Sequence, residues 1–187
     1  MYETSDIRKG LKIEIDGTPF IVVDFQFVKP GKGVAFTRTR LKNMETGAVI
    51  ERTFRTGEKL DGADVEERTC EFLYKEGDSY HFMDTDSYEQ FMVEEAAVGE
   101  ARLWLTENLQ THVLLHRGRA ISVELPNFVE LEVVEADPGL RGDTASGATK
   151  PVTLQTGARI QVPLFITVGE VLRIDTRTGS YVERVKR

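Results

Sequence analysis

The sequence predicts an all-β protein made of three small β modules of about 60 residues each. Short strand-like runs recur along the 187 residues, and glycines stand between them at the turns. Charge separates the middle module from its neighbours: residues 62–127 hold 5 Lys and Arg against 14 Asp and Glu, a net −9, whereas the whole chain has a net charge of −7. Together these observations predict domains at residues 1–63, 64–127 and 128–187, with an acidic middle domain.

The first module begins with an alternating strand and continues to an unusual hairpin. The run LKIEID alternates apolar and polar residues, which predicts a half-buried strand, and Asp16-Gly17 follows as a turn. Residues 20–27 are apolar and β-branched enough for a buried strand. In VKPGKGVAF, Pro30 and Gly31 suit the central positions of a type II turn, with Gly31 at positive φ. Such a turn makes Lys32 the projecting side chain of a slim hairpin.

The segment around this hairpin is basic although the chain is acidic. No acidic residue lies between Phe25 and Met44, whereas the segment contains the cations Lys29, Lys32, Arg38, Arg40 and Lys42. Local clustering, rather than average charge, decides whether a protein can bind a polyanion. The segment therefore leaves RNA binding open, and the alternative is a solvated hairpin lysine beside an ordinary strand.

The middle module contains a predicted aromatic hairpin over residues 68–84, RTCEFLYKEGDSYHFMD, which turns at residues 76–78. Because strand side chains alternate between two faces, the pattern places Cys70, Phe72 and Tyr74 on one face. Tyr80 and Phe82 lie across the turn in the same pattern. The prediction is thus a hairpin with one aromatic, buried face.

Further hairpins are predicted over residues 112–125 and residues 170–185, each turning at a glycine. A single helix is predicted over residues 100–109, with Trp104 facing a core. Residues 136–150 form a long loop rich in Gly, Ser and Thr, and long loops in compact domains are often functional.

The sequence offers little chemistry for catalysis. It has no Gly-x-Ser-x-Gly elbow, and its paired carboxylates lie in acidic stretches typical of solvated surface. His112 and His116 share a face of one predicted strand, but Cys70 is far away in sequence, so a zinc site is disfavoured. We therefore expect no enzyme, no cofactor and no metal, while a hydrolase whose site assembles only in the fold stays open.

Three features of the sequence predict the cellular compartment of the protein. A single cysteine favours a reducing compartment, and no apolar run approaches the roughly 18 residues that a membrane helix needs. The polar N-terminal segment does not resemble a signal peptide. These features predict a cytoplasmic protein without a membrane partner.

Two motifs resemble bacterial elongation factor P. The first is KPGKGVAF, residues 29–36, and the second is GDTASGATKPVTLQTGARIQVPLFITVGE, residues 142–170. In the second motif the residues that fall where the family pattern places them are Lys150, Gly157, Val162, Pro163 and Gly169. Val152 departs from the alanine that is usual at its position. The resemblance covers essentially the whole chain.

The resemblance implies an SH3-like (KOW-type) barrel followed by two OB-fold barrels, in an elongated shape similar to that of tRNA. It implies a monomeric, non-enzymatic translation factor that binds both ribosomal subunits beside peptidyl-tRNA. Such a factor stimulates peptide-bond formation and relieves stalling at consecutive prolines.

The resemblance also implies which residues carry this function. Lys32 lies near the acceptor end of the tRNA, presented by a tip loop that contains Lys29, Pro30, Gly31 and Gly33. Lysine-bearing members often carry an added group on this lysine, so a lysine-modifying enzyme is an expected partner; the sequence does not say which group. The RNA-binding residues are Arg38, Arg40 and Lys42, together with Gly142, Asp143 and Thr144 in a loop that approaches the small subunit and the mRNA.

An alternative hypothesis is a β-barrel module that recruits proteins through its acidic middle domain and binds RNA incidentally. Tyr181 and Arg184 near the C-terminus leave two interpretations open as well. They either stack on or grip RNA, or they are ordinary strand residues.

Overall fold

The computed structural model describes residues 1–138 and 148–186, which form an all-β fold of three β-sheet domains. The predicted fold class is confirmed. The strands are β1 (Tyr2–Glu3), β2 (Lys12–Ile15), β3 (Thr18–Val28), β4 (Phe36–Asn43), β5 (Val49–Arg55), β6 (Lys59–Gly62), β7 (Val65–Glu76), β8 (Ser79–Asp84), β9 (Gln90–Glu94), β10 (Gln110–His116), β11 (Arg119–Glu124), β12 (Phe128–Ala136), β13 (Thr149–Leu154), β14 (Arg159–Pro163), β15 (Val171–Asp175) and β16 (Ser180–Arg184). One short helix, α1, spans Glu95–Val98, and 3₁₀ turns span Thr4–Asp6 and Gly99–Leu103.

The first sheet has the strand order β1-β6-β2-β3-β4-β5. The predicted turn between β2 and β3 is confirmed, because Asp16 and Gly17 both have positive φ, 51° and 81°, as a two-residue hairpin of type I′ requires. Val22 and Leu41 lie in the buried core of this sheet. Only the first half of β3 is buried, and Phe27 is 60% exposed. The prediction of a buried strand over residues 20–27 is therefore wrong for its second half, which extends toward the hairpin tip.

The middle sheet has the order β11-β10-β7-β8-β9 and contains a β-bulge that the sequence pattern did not predict. Phe72 pairs with Phe82, but Tyr74 pairs with His81, so Leu73 is the additional residue. Phe72 is 6% exposed, whereas Tyr74 is 51% exposed. The prediction that Tyr74 shares a face with Phe72 is wrong, because the bulge moves Tyr74 to the outer face.

The third sheet has the order β14-β13-β12-β15-β16. Its core includes Leu131, Leu154, Leu172 and Ile174, all fully buried. Val152, where the family usually has alanine, is 2% exposed and packs in the same core.

Trp104 also belongs to this third core, although its chain segment lies between β9 and β10, two strands of the middle sheet. An added Cβ on Gly179 would lie 3.3 Å from the indole, so the β15–β16 turn packs closely against the tryptophan. The prediction that Trp104 faces a core is confirmed. The predicted helix over residues 100–109 is wrong, because α1 ends at Val98, before Gly99 with its φ of 60°, and only the 3₁₀ turn Gly99–Leu103 follows.

Backbone contacts divide the chain into two compact units: residues 1–68 with 113–122, and residues 69–112 with 123–187. The domain limits stated above stay a prediction. In the part of the chain that the structure describes, no helix has the length and apolar character needed to cross a membrane.

Candidate nucleic-acid interface

The hairpin between β3 and β4 presents Lys32 to solvent. Strand pairing continues to Val28 and Phe36, and residues 29–35 form the loop between them. Lys29, Lys32 and Val34 are exposed, whereas Pro30 is half-buried. Lys32 therefore stands at the far end of a paired two-stranded ribbon, as predicted.

The turn itself differs from the prediction. Gly33 has a φ of 108°, and Gly31 is not in the positive-φ region. The predicted type II turn with Gly31 at positive φ is therefore wrong. The residue that needs glycine for its backbone conformation follows the lysine instead of preceding it.

Strand β4 carries the predicted RNA-binding cations on one face. The alternate residues Thr37, Thr39 and Leu41 are buried, at 4%, 1% and 0% exposure. Arg38, Arg40 and Lys42 lie between or beyond them and are exposed, since strand side chains alternate between faces. The structure thus brings the three cations together as a strip; we call it the β4 basic strip.

The members of the β4 basic strip have different neighbours. Arg38 is opposite Gln26 on β3 and Thr53 on β5. Arg40 is opposite Asp24 and Glu51, so a carboxylate stands on each side of it. Directly opposite residues interact electrostatically across a sheet. We infer that more of the positive potential of Arg38 is available to a phosphate.

Arg55 is a functional candidate that sequence reasoning missed. It is exposed, and it pairs with Phe36, which lies on the same face as Arg38. The guanidinium of Arg38 lies 5.9 Å from the Phe36 ring centroid. No signal in the sequence connects Arg55 with the basic segment, because only the β4–β5 register brings them together.

The predicted residues Gly142, Asp143 and Thr144 lie outside the described residues. The residues that flank this segment are ordered by Lys150, whose Nζ donates a 2.6 Å hydrogen bond to the Asp137 carbonyl. Lys150 is 7% exposed. The lysine of the second motif therefore joins the end of β12 to the start of β13 and is a structural residue.

Tyr181 and Arg184 lie on β16. Tyr181 packs against the third core. Arg184 Nη1 lies 3.0 Å from Glu170 Oε1, and its guanidinium lies 4.6 Å from the Phe165 ring centroid. The backbone N–H of Thr167 and then Arg184 hold the pKa of Glu170 below its ordinary value. These contacts account for Arg184 as a structural residue and leave its contact with RNA a prediction.

The described residues do not form a recognisable metal site. Across residues 1–138 and 148–186, no group of three or more His, Cys, Asp and Glu side chains is placed to hold a metal ion. His116, one of the two histidines considered for zinc, instead places Nε2 2.8 Å from Glu14 Oε1.

Comparison with protein families identifies all three parts of the chain. The family described as Elongation factor P (EF-P) KOW-like domain matches residues 3–60. The Elongation factor P (EF-P) OB domain matches residues 65–123, and the family described as Elongation factor P, C-terminal matches residues 129–184.

Solved structures show a similar fold. Eukaryotic translation initiation factor 5A from Methanococcus jannaschii matches with a TM-score of 0.52 and 23% identity, covering 65% of this chain and 92% of that one. A translation initiation factor eif-5a family protein from Naegleria fowleri matches with a TM-score of 0.54 and 14% identity, covering 66% of this chain and 96% of that one. At these identities the likeness concerns the fold alone.

Curated relatives match over the full length. Elongation factor P of Moorella thermoacetica is 56% identical over 184 residues, which is 98% of this chain and 100% of the relative. Elongation factor P of Pelotomaculum thermopropionicum is 54% identical over 185 residues, 99% of this chain and 100% of the relative. With these identities and all three family matches in order, the chain belongs to the elongation factor P family of translation factors.

Proposed function

We propose that this protein binds the ribosome beside peptidyl-tRNA and stimulates peptide-bond formation at consecutive prolines. The observation that carries the proposal is the exposed Lys32 at the end of a hairpin whose second strand bears the β4 basic strip. Membership of the elongation factor P family supports the role in translation elongation.

The proposed action is positioning and needs no catalytic residue. Proline reacts slowly in peptide-bond formation because its ring fixes φ and its nitrogen is secondary, so few arrangements of the nascent chain bring the reacting atoms together. Holding two reactants in a favourable geometry alone is worth several kcal/mol. A factor that orders the acceptor end of the tRNA therefore accelerates the reaction as a non-enzymatic partner of the ribosome.

The β4 basic strip and the hairpin tip have different roles in the proposed function. Arg38, Arg40 and Lys42 bind tRNA and ribosomal phosphates, which anchors the hairpin. Lys32 extends beyond them as a compact charge toward the acceptor end. A group attached to Lys32 by a lysine-modifying enzyme would lengthen this reach. Lys29, Pro30, Gly31 and Gly33 shape the loop that presents the lysine.

The other partners follow from the same proposal. The segment with Gly142, Asp143 and Thr144 approaches the small subunit and the mRNA, with Asp143 on bases or sugar hydroxyls because phosphates repel it. We take the domains to be residues 1–63, 64–127 and 128–187. The protein acts in the cytoplasm as a monomer and uses no cofactor.

The test is the rate of synthesis through a run of three prolines in a reconstituted bacterial translation system. Protein purified from its native source, which retains any modification, is compared with the Lys32→Ala variant and with no factor. Lys59→Ala is the matched control, because Lys59 is an exposed lysine of β6 whose ion pair is with Glu3. We expect stimulation by the native protein and the control, and its loss in Lys32→Ala.

A native protein that binds ribosomes but leaves this rate unchanged would overturn the proposal. That result would favour the alternative hypothesis, a β-barrel module that recruits proteins through its acidic middle domain. Loss of stimulation in Lys59→Ala as well as Lys32→Ala would show that the assay measures total charge.

A further inference from the structure

The outer face of the middle sheet carries a row of large side chains that the proposed function does not use. Tyr74 on β7 pairs with His81 on β8, and His81 pairs with Met92 on β9. Tyr74 is 51% exposed and Met92 is 63% exposed. Directly opposite residues on one face are neighbours, so the three form one surface, which we call the aromatic platform.

The bulge at Leu73 creates this platform. If the Phe72–Phe82 register continued without the bulge, Tyr74 would be opposite Tyr80, which is 3% exposed in the core. The additional residue instead places Tyr74 opposite His81 on the outer face. Bulges commonly re-aim side chains at functional positions.

The platform has an ordered geometry. The rings of Tyr74 and His81 are stacked, with centroids 4.2 Å apart and planes at 14°. His81 therefore covers one face of the tyrosine, and the opposite face is available to solvent. His81 Nε2 is buried and makes no hydrogen bond to any described residue, and Glu76 Oε2 lies 3.5 Å from it. The His81 ring thus lies within ion-pair distance of a carboxylate at the edge of the platform.

Carboxylates surround the platform. Glu76 and Glu94 are both paired with Ser79 in the adjacent row of the same face. Glu71, opposite Met83, stands on the other side. The platform thus combines an open aromatic face with negative charge, and this charge repels nucleic-acid phosphates.

The geometry points to the aromatic platform as a docking surface for an arginine-bearing segment of a partner protein. A guanidinium stacks on the open face of Tyr74. The Glu76 carboxylate accepts hydrogen bonds from the N–H groups at the edge of this guanidinium. Met92 contacts the aliphatic stem of the same arginine or the next residue. Arginine and tyrosine, together with tryptophan, are enriched among the residues that contribute most to binding at protein interfaces.

The inference does not depend on the proposed function and is tested on the isolated full-length protein. The probe is a capped peptide of alternating glycine and arginine, four of each, compared with the glycine–lysine peptide of equal charge. Binding is followed by NMR on methionine methyl groups, with Met92 as the reporter and Met44, which lies in the other compact unit, as the internal reference. We expect the arginine peptide to shift Met92 and to bind more tightly than the lysine peptide.

Two variants separate docking from general attraction to an acidic protein. Tyr74→Ala weakens binding of the arginine peptide about tenfold, from the lost stacking. Glu76→Gln weakens it as well, whereas Glu100→Gln, which removes an equal charge from the 3₁₀ turn at Gly99–Leu103, leaves it unchanged. Circular dichroism of each variant verifies that the fold is retained.

Three results would overturn the inference. Equal binding of the two peptides, or of wild type and Tyr74→Ala, would show attraction to net charge only. A shift of Met92 by single-stranded oligouridylate with affinity equal to that of the arginine peptide would identify an RNA surface instead.

Discussion

His116 and Glu14 are joined by a short contact of 2.8 Å between Nε2 and Oε1, with side chains only 8% and 12% exposed. The second carboxylate oxygen of Glu14 lies 2.5 Å from Arg117 Nη2. One carboxylate on β2 therefore holds the end of β10 and its turn, within a single compact unit. Glu14 and His116, which are 102 positions apart in the chain, are therefore in direct contact in the fold.

We expect this pair to stabilise the region cooperatively. Glu14→Ala leaves the nearly buried His116 ring without this partner, and His116→Ala leaves Glu14 with Arg117 alone. We expect each change to cost roughly 1–3 kcal/mol. In a double-mutant cycle the coupling energy should be about 1 kcal/mol. Amide hydrogen exchange on β2 and β10 measures the local free energy of opening. Additivity of the two single effects within about 0.3 kcal/mol would contradict the prediction.

Arg38 and Arg40 should contribute unequally to ribosome binding. Arg40 lies between Asp24 and Glu51, whereas Arg38 lies between Gln26 and Thr53. Because each phosphate contact releases counterions, Arg38→Ala should lower the slope of log affinity against log salt by about 1, and Arg40→Ala by less. Sedimentation with ribosomes over a salt series measures both slopes. A larger change for Arg40→Ala would show that the cross-strand carboxylates do not screen it.

The loop that presents Lys32 should tolerate alanine before the lysine but not after it. Gly33 has a φ of 108°, and an added Cβ on Gly31 would meet nothing within 4 Å. Gly33→Ala should therefore cost about 1–3 kcal/mol of backbone strain or change the loop conformation. We expect Gly33→Ala to reduce stimulation through three prolines and Gly31→Ala to retain it. If Gly31→Ala reduced stimulation and Gly33→Ala retained it, the result would instead favour the type II turn predicted from the sequence.

The Glu170 carboxylate should contribute to acid sensitivity of the third core. The Thr167 N–H donates a 2.7 Å hydrogen bond to Glu170, and together with Arg184 it lowers the pKa of Glu170 from 4.5. A lowered folded-state pKa stabilises the fold above the unfolded-state pKa, and this contribution disappears as pH falls through the folded-state pKa. Trp104 fluorescence, measured during urea unfolding at several pH values, follows this core.

In that experiment Glu170→Gln should flatten the decrease of stability with falling pH below about 4.5. Arg184→Met is the informative control, because the backbone hydrogen bond from Thr167 is the larger cause of the shift and stays in place. We therefore expect Arg184→Met to flatten the decrease only partly. Equal pH profiles for wild type and Glu170→Gln would count against the prediction.

Local patterns predicted much of the fold. Alternation and turn residues were sufficient for the hairpins at Asp16-Gly17 and Arg117-Gly118, where both residues of each pair adopt positive φ. The sequence also predicted the basic segment, and the alternation of side chains along β4 places its three cations on one face. Such features depend only on neighbours in the chain.

Features that depend on pairing between strands were not predicted from the sequence. The bulge at Leu73 reverses the face of Tyr74, and no local pattern marks a residue that a neighbouring strand leaves unpaired. Arg55 joins the basic face only through the β4–β5 register. The contact of Glu14 with His116 joins distant segments in the same way.

The placement of Trp104 has a consequence for synthesis of the protein itself. Its indole is 7% exposed in a core whose other members include Leu172 and Ile174. In a growing chain this ring cannot pack against Leu172 and Ile174 until β15 has left the ribosome, so Trp104 reaches its native surroundings only with the final portion of the chain. Tryptophan fluorescence of stalled nascent chains would therefore report completion of the fold as a late, single event.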